Sequence, residues 1–505
     1  MVYFVIGFIQ IILALGTLFI LFYFYLTKHF NFWETYKVKG PKPLPICGNF
    51  KDVFLGKSHI GLLLKRYYDD YSNEPYIGVY EGDSPLLILR DPEIIKDVLI
   101  KDFNYFPNRA IYTNHEKDPW ALNLLNLEYK NWRPLRKYLS SAFTDVKLKN
   151  MFYLLSESAK NFEIYAENVV KKGEPIECRK FSSIYTTNTI SVCAFGLDTT
   201  TSENETNRFQ QFGQEYLDCD FKNATRRLMR EYFPGFYFLL EPLIRSDNTK
   251  FLMNSLQETI EYRSKMNIKR NDFVDLLIDL RNHPEKLNDI EISDLLLTSQ
   301  AFIFFIAGYE TSAASMSNLM YELALNPQYQ SKLRQEITKT LATDGEFTYD
   351  NLKSMKYLDK LNKESLRKYP PGTHNRRISV APYTFASTNL TIPENTKVIV
   401  PVWAIHRDPA IYPDPEVFDP ERFNEENEES RHPMHYIPFS HGPHNCIGLR
   451  FADIQIKLGI AMLLSKFKFE LCDKTCKTYE IHPRSVIPMT KDDYIIKIYV
   501  LEIYY

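Results

Sequence analysis

The chain has 505 residues, 45% of them hydrophobic and 14% aromatic, and its 61 Lys+Arg against 63 Asp+Glu give a formal net charge of -2. That apolar content excludes disorder as a whole-chain description, and the balanced charge excludes a protein held to nucleic acid mainly by phosphate contacts. Seven scattered Cys, an odd number, are no disulfide framework and fit a reducing compartment.

The first element is an apolar run from Val2 to Leu26 without a charged side chain, broken only by Gly7, Gly16, Gln10 and Thr17. As a helix it would be roughly 37 Å long, enough to cross a bilayer core with some tilt. It is too long for the apolar stretch of a cleaved signal peptide. Lys28, His29, Lys37, Lys39 and Lys42 follow, opposed only by Glu34, so the positive-inside rule puts everything after them in the cytosol. The expected organisation is a transmembrane signal-anchor over 1–27, a basic, proline-rich linker over 28–49 and one body over 50–505. Three Asn-x-Thr sequons, at Asn204, Asn223 and Asn389, should then stay unglycosylated.

Length alone suggests about three domains, but no linker or repeat divides the body. Helical patterns dominate from about 57 to 370. The strongest runs from Ile292 to Asn326 and is apolar on every face around 301–307, which places it at the centre of a large domain. Strand-like stretches are short: 76–80, 86–89 and 397–402. Pro and turn residues crowd 375–438, and a helix resumes from about Ile447 to Phe467. The predicted fold class is mainly α with small β-sheets, a single large domain plus one N-terminal transmembrane helix.

No phosphate loop, dinucleotide turn or His-Glu-x-x-His zinc motif occurs. The informative segment is Phe439-Ser-His-Gly-Pro-His-Asn-Cys446-Ile-Gly448. A Cys in a Gly/Pro-punctuated turn just before a helix is placed to exist as thiolate, the form a haem iron takes as a proximal ligand. Gly442 and Gly448 let the backbone lie against a large planar group.

This segment resembles the haem-binding signature of cytochrome P450s, Phe-x-x-Gly-x-Arg-x-Cys-x-Gly, with one departure: His444 stands where the family has Arg. Further matches follow the family's order. Trp132-x-x-x-Arg136, Ala307-Gly308-Tyr309-Glu310-Thr311-Ser312, Glu364-x-x-Arg367 and Pro420-Glu421-Arg422-Phe423 all occur. Gly40 to Pro45 resembles the hinge of microsomal members.

The resemblance implies a P450 fold with haem b held by Cys446. It places Phe439, Gly442, His444, Gly448, Trp132, Arg136, Gly308 and either Arg376 or Arg377 at the cofactor. It places Glu364, Arg367 and Arg422 in a buried network that holds the Cys loop. Thr311 and Glu310 become the catalytic hydroxyl and acid, because cleaving dioxygen needs protons delivered beside the iron. It also implies a lipophilic substrate, dioxygen, and electrons from an NADPH–cytochrome P450 reductase, with cytochrome b5 as a second candidate donor. The reductase would dock at Arg133, Lys137 and Arg450. Substrate contacts are expected from 111–122, Phe302, Phe305, Val380, Ala381 and Ile487, and membrane contact from 233–238. Localisation would be endoplasmic reticulum, single-pass. Two rivals remain: a P450-type isomerase or dehydratase working without external electrons, and a non-enzymatic haem sensor. The acid–hydroxyl pair Glu310-Thr311 argues against both.

Overall fold

A computed structural model describes residues 2–111, 113, 118–196, 203–232, 235, 237, 239, 249–287, 290–491 and 494–501. The expected membrane-contact patch at 233–238 lies largely outside them, as does part of the 111–122 segment. The helix Val2–Thr27 is long and apolar enough to cross a membrane, and its apolar window is entirely unburied. The described strands are β1 Tyr76–Glu81, β2 Ser84–Leu89, β3 Ile176–Glu177, β4 Asn375–Ile378, β5 Tyr383–Phe385, β6 Leu390–Ile392, β7 Lys397–Val400, β8 Phe467–Leu471 and β9 Ile495–Val500. The chain divides into two compact units, residues 1–110 with 374–405, and residues 111–373 with 406–505.

The first unit is built on a sheet of order β1-β2-β7-β4, in which β2 and β7 run parallel and the outer pairs antiparallel. Ile77 and Val79 alternate onto one face, with Leu86, Ile88 and Ile399 beside them. Leu63 and Leu64 of the helix Ile60–Asp70 cover that face together with Phe50. The segment expected to be a stiff connector is instead folded onto this sheet. Trp33 is buried and its indole N–H donates to Val79 O at 2.9 Å. Gly78 makes room, since a Cβ there would lie 2.5 Å from the indole. Asn49 accepts from Tyr80 N at 2.8 Å and donates to Pro41 O and Lys42 O at 3.1 Å. The prolines stiffen the segment, but Trp33 and Asn49 bind it down.

The second unit is centred on the helix Asp294–Leu325, whose N-terminus is capped by Ser293 Oγ accepting from Leu296 N at 3.1 Å. Its apolar length is buried as expected, against the helices Cys178–Phe195 and Leu449–Lys466. Gly459 lies at the junction of the three: a Cβ there would come 2.8 Å from Tyr185 Cε1 and 3.0 Å from Met316 Cε. A second sheet, β3-β9-β8, completes this unit.

Candidate active site

The Cys loop is closed by backbone hydrogen bonds. Cys446 N donates to Phe439 O at 2.9 Å and Asn445 N to Gly442 O at 3.0 Å. Gly442 adopts φ +75°, a conformation that a side chain disfavours, so the turn itself requires this glycine. Gly448 differs. Its φ is -89°, and a Cβ would meet only Phe143, at an ordinary 3.9 Å. Nothing in the protein demands glycine there. The helix begins at Leu449 with Gly448 as its N-cap, so Cys446 lies just ahead of the first turn, and its thiol is exposed.

Around the loop, Arg136 donates to Asn445 Oδ1 at 2.8 Å, and no carboxylate among the described residues pairs with it. Burial pulls its pKa below the ordinary guanidinium value, opposed by nearby Cys446. Trp132 is buried one turn earlier, with its ring centroid 3.9 Å from that of His444. The helix Tyr129–Ser140 thus brings Trp132 and Arg136 to the Cys loop, as their spacing predicts.

The network behind the loop is fully formed. Arg367 grips Glu364 with two hydrogen bonds of 2.7 and 2.8 Å, both side chains being completely buried. Burial works against the Arg367 charge, and the pairing with Glu364 more than offsets it. Glu364 also accepts from Asp419 N at 2.9 Å and faces Arg422 at 3.6 Å. His406, which lies in the Ala404-Ile405-His406-Arg407-Asp408-Pro409 approach to the Pro-Glu-Arg-Phe stretch and to which the resemblance assigns no role, completes the link. His406 hydrogen-bonds Arg367 O through Nδ1 at 3.2 Å and accepts from Ile437 N through Nε2 at 2.9 Å. Its ring stacks on Tyr436. Burial, with Arg367 and Arg407, pushes its pKa well below the ordinary imidazole range, so it is neutral with its proton on Nδ1. Its only sequence signal is position, within Ala-Ile-His-Arg-Asp-Pro.

On the central helix, Thr311 is partly exposed and donates to Ala307 O at 2.5 Å. Ile303, Ala307 and Thr311, four residues apart, form the open stripe of this helix. The missing Cβ of Gly308 points at Ile190, whose Cδ1 would be 2.8 Å away. It permits a close helix crossing. The carboxylate of Glu310 is buried and held by Arg179 of the neighbouring helix. Phe302 and Phe305 turn away from the open stripe, packing on Trp120, Phe212 and Tyr216, and on Phe195, Phe209 and Tyr309 respectively. Ile487 lines a cavity of about 430 Å³ that also contains Arg179 and Glu310.

In the first unit, Arg376 forms an ion pair with Glu81 at 2.8 Å, and Lys397 reaches the same carboxylate at 2.9 Å. Burial would raise the Glu81 pKa, but Arg376 and Lys397 bring it down to about 2. Arg377 is the contrasting case. It is 2% exposed, no carboxylate among the described residues pairs with it, and burial alone lowers its pKa to about 10. An adjacent-Arg motif in sequence cannot separate the two; the pairing does.

The cytochrome P450 family profile matches residues 38–498. Cytochrome P450 6B2 of Helicoverpa armigera is 36% identical over 479 residues, covering 93% of this chain and 94% of that protein. Cytochrome P450 6A1 of Musca domestica is 35% identical over 484 residues, covering 94% of each. Cytochrome P450 6k1 of Blattella germanica is 36% identical over 500 residues, covering 95% of each. The chain therefore belongs to the cytochrome P450 family. Members are monooxygenases that bind haem b through a cysteine thiolate to iron.

Proposed function

We propose that this chain is a membrane-anchored monooxygenase that oxidises a lipophilic small molecule with dioxygen and electrons from an NADPH–cytochrome P450 reductase. The observation that carries the reading is the exposed Cys446 thiol, set in a loop beside the Arg136 guanidinium, which no carboxylate among the described residues neutralises. The donor set fits haem: a cysteine for the iron, a half-buried cation for a propionate, and at Gly448 a position where no described residue comes nearer to a Cβ than Phe143 at 3.9 Å, which leaves room for a flat group against the loop. When bound, haem supplies dioxygen activation assisted by thiolate donation.

The chain's own residues have distinct tasks. Cys446 ligates through sulfur, and the Phe439 carbonyl holds its amide. Arg136 and Trp132 hold one propionate side, with the His444 ring tilted against the indole where the family has Arg. Arg377, rather than Arg376, is assigned the anion-holding role in its stretch, because Arg376 is already committed to Glu81. The Thr311 hydroxyl is the proton-passing group on the open stripe. Glu310, once its carboxylate is released from Arg179, takes up a proton from solvent water and passes it on toward Thr311. Arg133, Lys137 and Arg450 offer positive charge to an acidic reductase surface. Of these, Lys137 is exposed, Arg133 donates to Tyr129 Oη at 2.8 Å, and Arg450 lies 3.8 Å from Asp145. A cytosolic orientation on the endoplasmic reticulum follows from the lysines after the anchor.

The test is turnover of a lipophile library with and without NADPH and reductase, beside the Cys446→Ser variant. Product should require both electron donors, and the variant should lose the red-shifted Soret band of the reduced carbonyl adduct. Turnover without electrons would identify an isomerase or dehydratase instead.

A further inference from the structure

A cleft of about 850 Å³ opens between the helix Tyr129–Ser140, the start of the helix Asp145–Lys172 and the helix Phe273–Asn282. Its volume is within the range of small-molecule sites. None of the residues assigned to the Cys loop or the central helix lines it. We propose that this cleft is a separate binding site for a long-chain carboxylate, an amphiphile with an anionic head and an apolar tail.

The floor is apolar: Pro134, Tyr138, Leu276 and Leu287 line it, and Tyr138 and Leu276 are only half-buried. The rim is basic. Lys137, Lys147 and Lys269 are exposed at the opening and form no ion pair among the described residues. Three carboxylates also line the cleft, and each is already neutralised. Arg263 holds Asp272 with two hydrogen bonds of 2.8 and 2.7 Å and Asp275 at 2.9 Å, and Arg270 supplies the second positive charge, its Nε 3.9 Å from Asp272 and its backbone N donating to Asp275 at 2.8 Å. Asp279 accepts from Lys286 and from Tyr138 Oη, both at 2.5 Å. What faces an incoming ligand is therefore a positive rim over an apolar floor. A carboxylate head would meet the free lysines at the edge while its chain covers Tyr138 and Leu276. A neutral lipid would leave the rim uncompensated, and a short anion would leave the floor wet. Chain length and charge are both required.

The experiment uses the full-length haem-loaded protein and a fluorescent fatty acid displaced by oleate, with the Soret absorption recorded in the same titration. Oleate should displace the probe without altering the Soret band, and oleyl alcohol should do so poorly. Lys147→Ala with Lys269→Ala should weaken oleate about tenfold, in keeping with two partly exposed ion pairs. Leu276→Glu, which puts a negative charge on the floor, should abolish displacement while circular dichroism and the carbonyl adduct show a folded, loaded protein. Displacement that is unchanged in both variants overturns the proposal. So does displacement that always tracks a Soret shift, because the ligand is then beside the haem.

Discussion

His406 has one ring proton, and its surroundings fix where it goes: Nδ1 toward the Arg367 carbonyl, leaving Nε2 to accept from Ile437 N. Ile437 lies two residues before Phe439, so this imidazole couples the Glu364–Arg367 pair to the start of the Cys loop. His406→Phe keeps the stack on Tyr436 but loses both hydrogen bonds, about 2–4 kcal/mol for two buried groups left unsatisfied. It should give a folded protein with much less of the red-shifted carbonyl adduct, and His406→Gln, which restores an acceptor, should recover part of it. The same residue gives a pH dependence. Its native pKa is depressed, so below about pH 6.5 the unfolded chain takes up a proton that the native state refuses. Stability is full above that pH and falls as the pH drops. Denaturant unfolding between pH 7 and 5 should show this slope, and His406→Gln should reduce it, leaving the share of His374, His435 and His482, whose pKa values burial also lowers.

Glu310 and Thr311 separate by the same kind of reasoning. Their motif is visible in the sequence, yet the arginine that holds Glu310 is 131 residues upstream and belongs to no motif. Glu310→Gln strands a buried guanidinium, which costs on the order of 3–5 kcal/mol as well as a proton source. Thr311→Ala removes a hydroxyl bonded only within its own helix, so thermal unfolding should barely move while product falls relative to NADPH consumed and peroxide rises. Equal loss of stability in both variants, measured by denaturant titration, would reject the separate tasks.

At the scale of elements, the long apolar run revealed the helix Asp294–Leu325 within two residues at each end, because a helix buried over most of its surface is marked by its apolar content. Strands β1, β2 and β7 were legible for a similar reason: their β-branched and aliphatic runs are bounded by turns. Strands β4, β5, β6, β8 and β9 were not: β4 contains Arg376 and Arg377, β5 and β6 are three residues each in a short hairpin, and β8 pairs with β9 across a long stretch of chain. Helix crossings are the least legible of all. No motif reveals that Gly308 lies against Ile190 on another helix. Gly308→Ala should lose about 1–3 kcal/mol to overpacking, less the ~1 kcal/mol that alanine gains in a helix. Ile190→Val removes the clashing Cδ1 and should rescue it. Gly459→Ala meets the Tyr185 ring and Met316 together, so no single small replacement should restore its unfolding midpoint.

At the scale of the whole molecule, anchor and body are distinguished by burial rather than by proline content. The helix Val2–Thr27 contributes nothing to the folded core, while Trp33, a few residues beyond it, is 3% exposed against β1. The boundary that matters for folding therefore lies between residues 27 and 33, well before the prolines. Deleting 2–27 should release the protein from membranes in a flotation assay and leave its thermal midpoint unchanged. Extending the deletion through 49 removes the indole from Gly78 and the Asn49 side chain from Pro41, Lys42 and Tyr80. Burying an indole is worth on the order of 3 kcal/mol, and the edge of β1 would lose hydrogen bonds besides. The longer deletion should thus unfold several degrees earlier, with the loss beginning in the first unit, where hydrogen exchange would report faster opening of β1 and β2. Equal midpoints for the two truncations would mean that residues 28–49 are a tether after all, and that the contacts of Trp33 and Asn49 carry no stability.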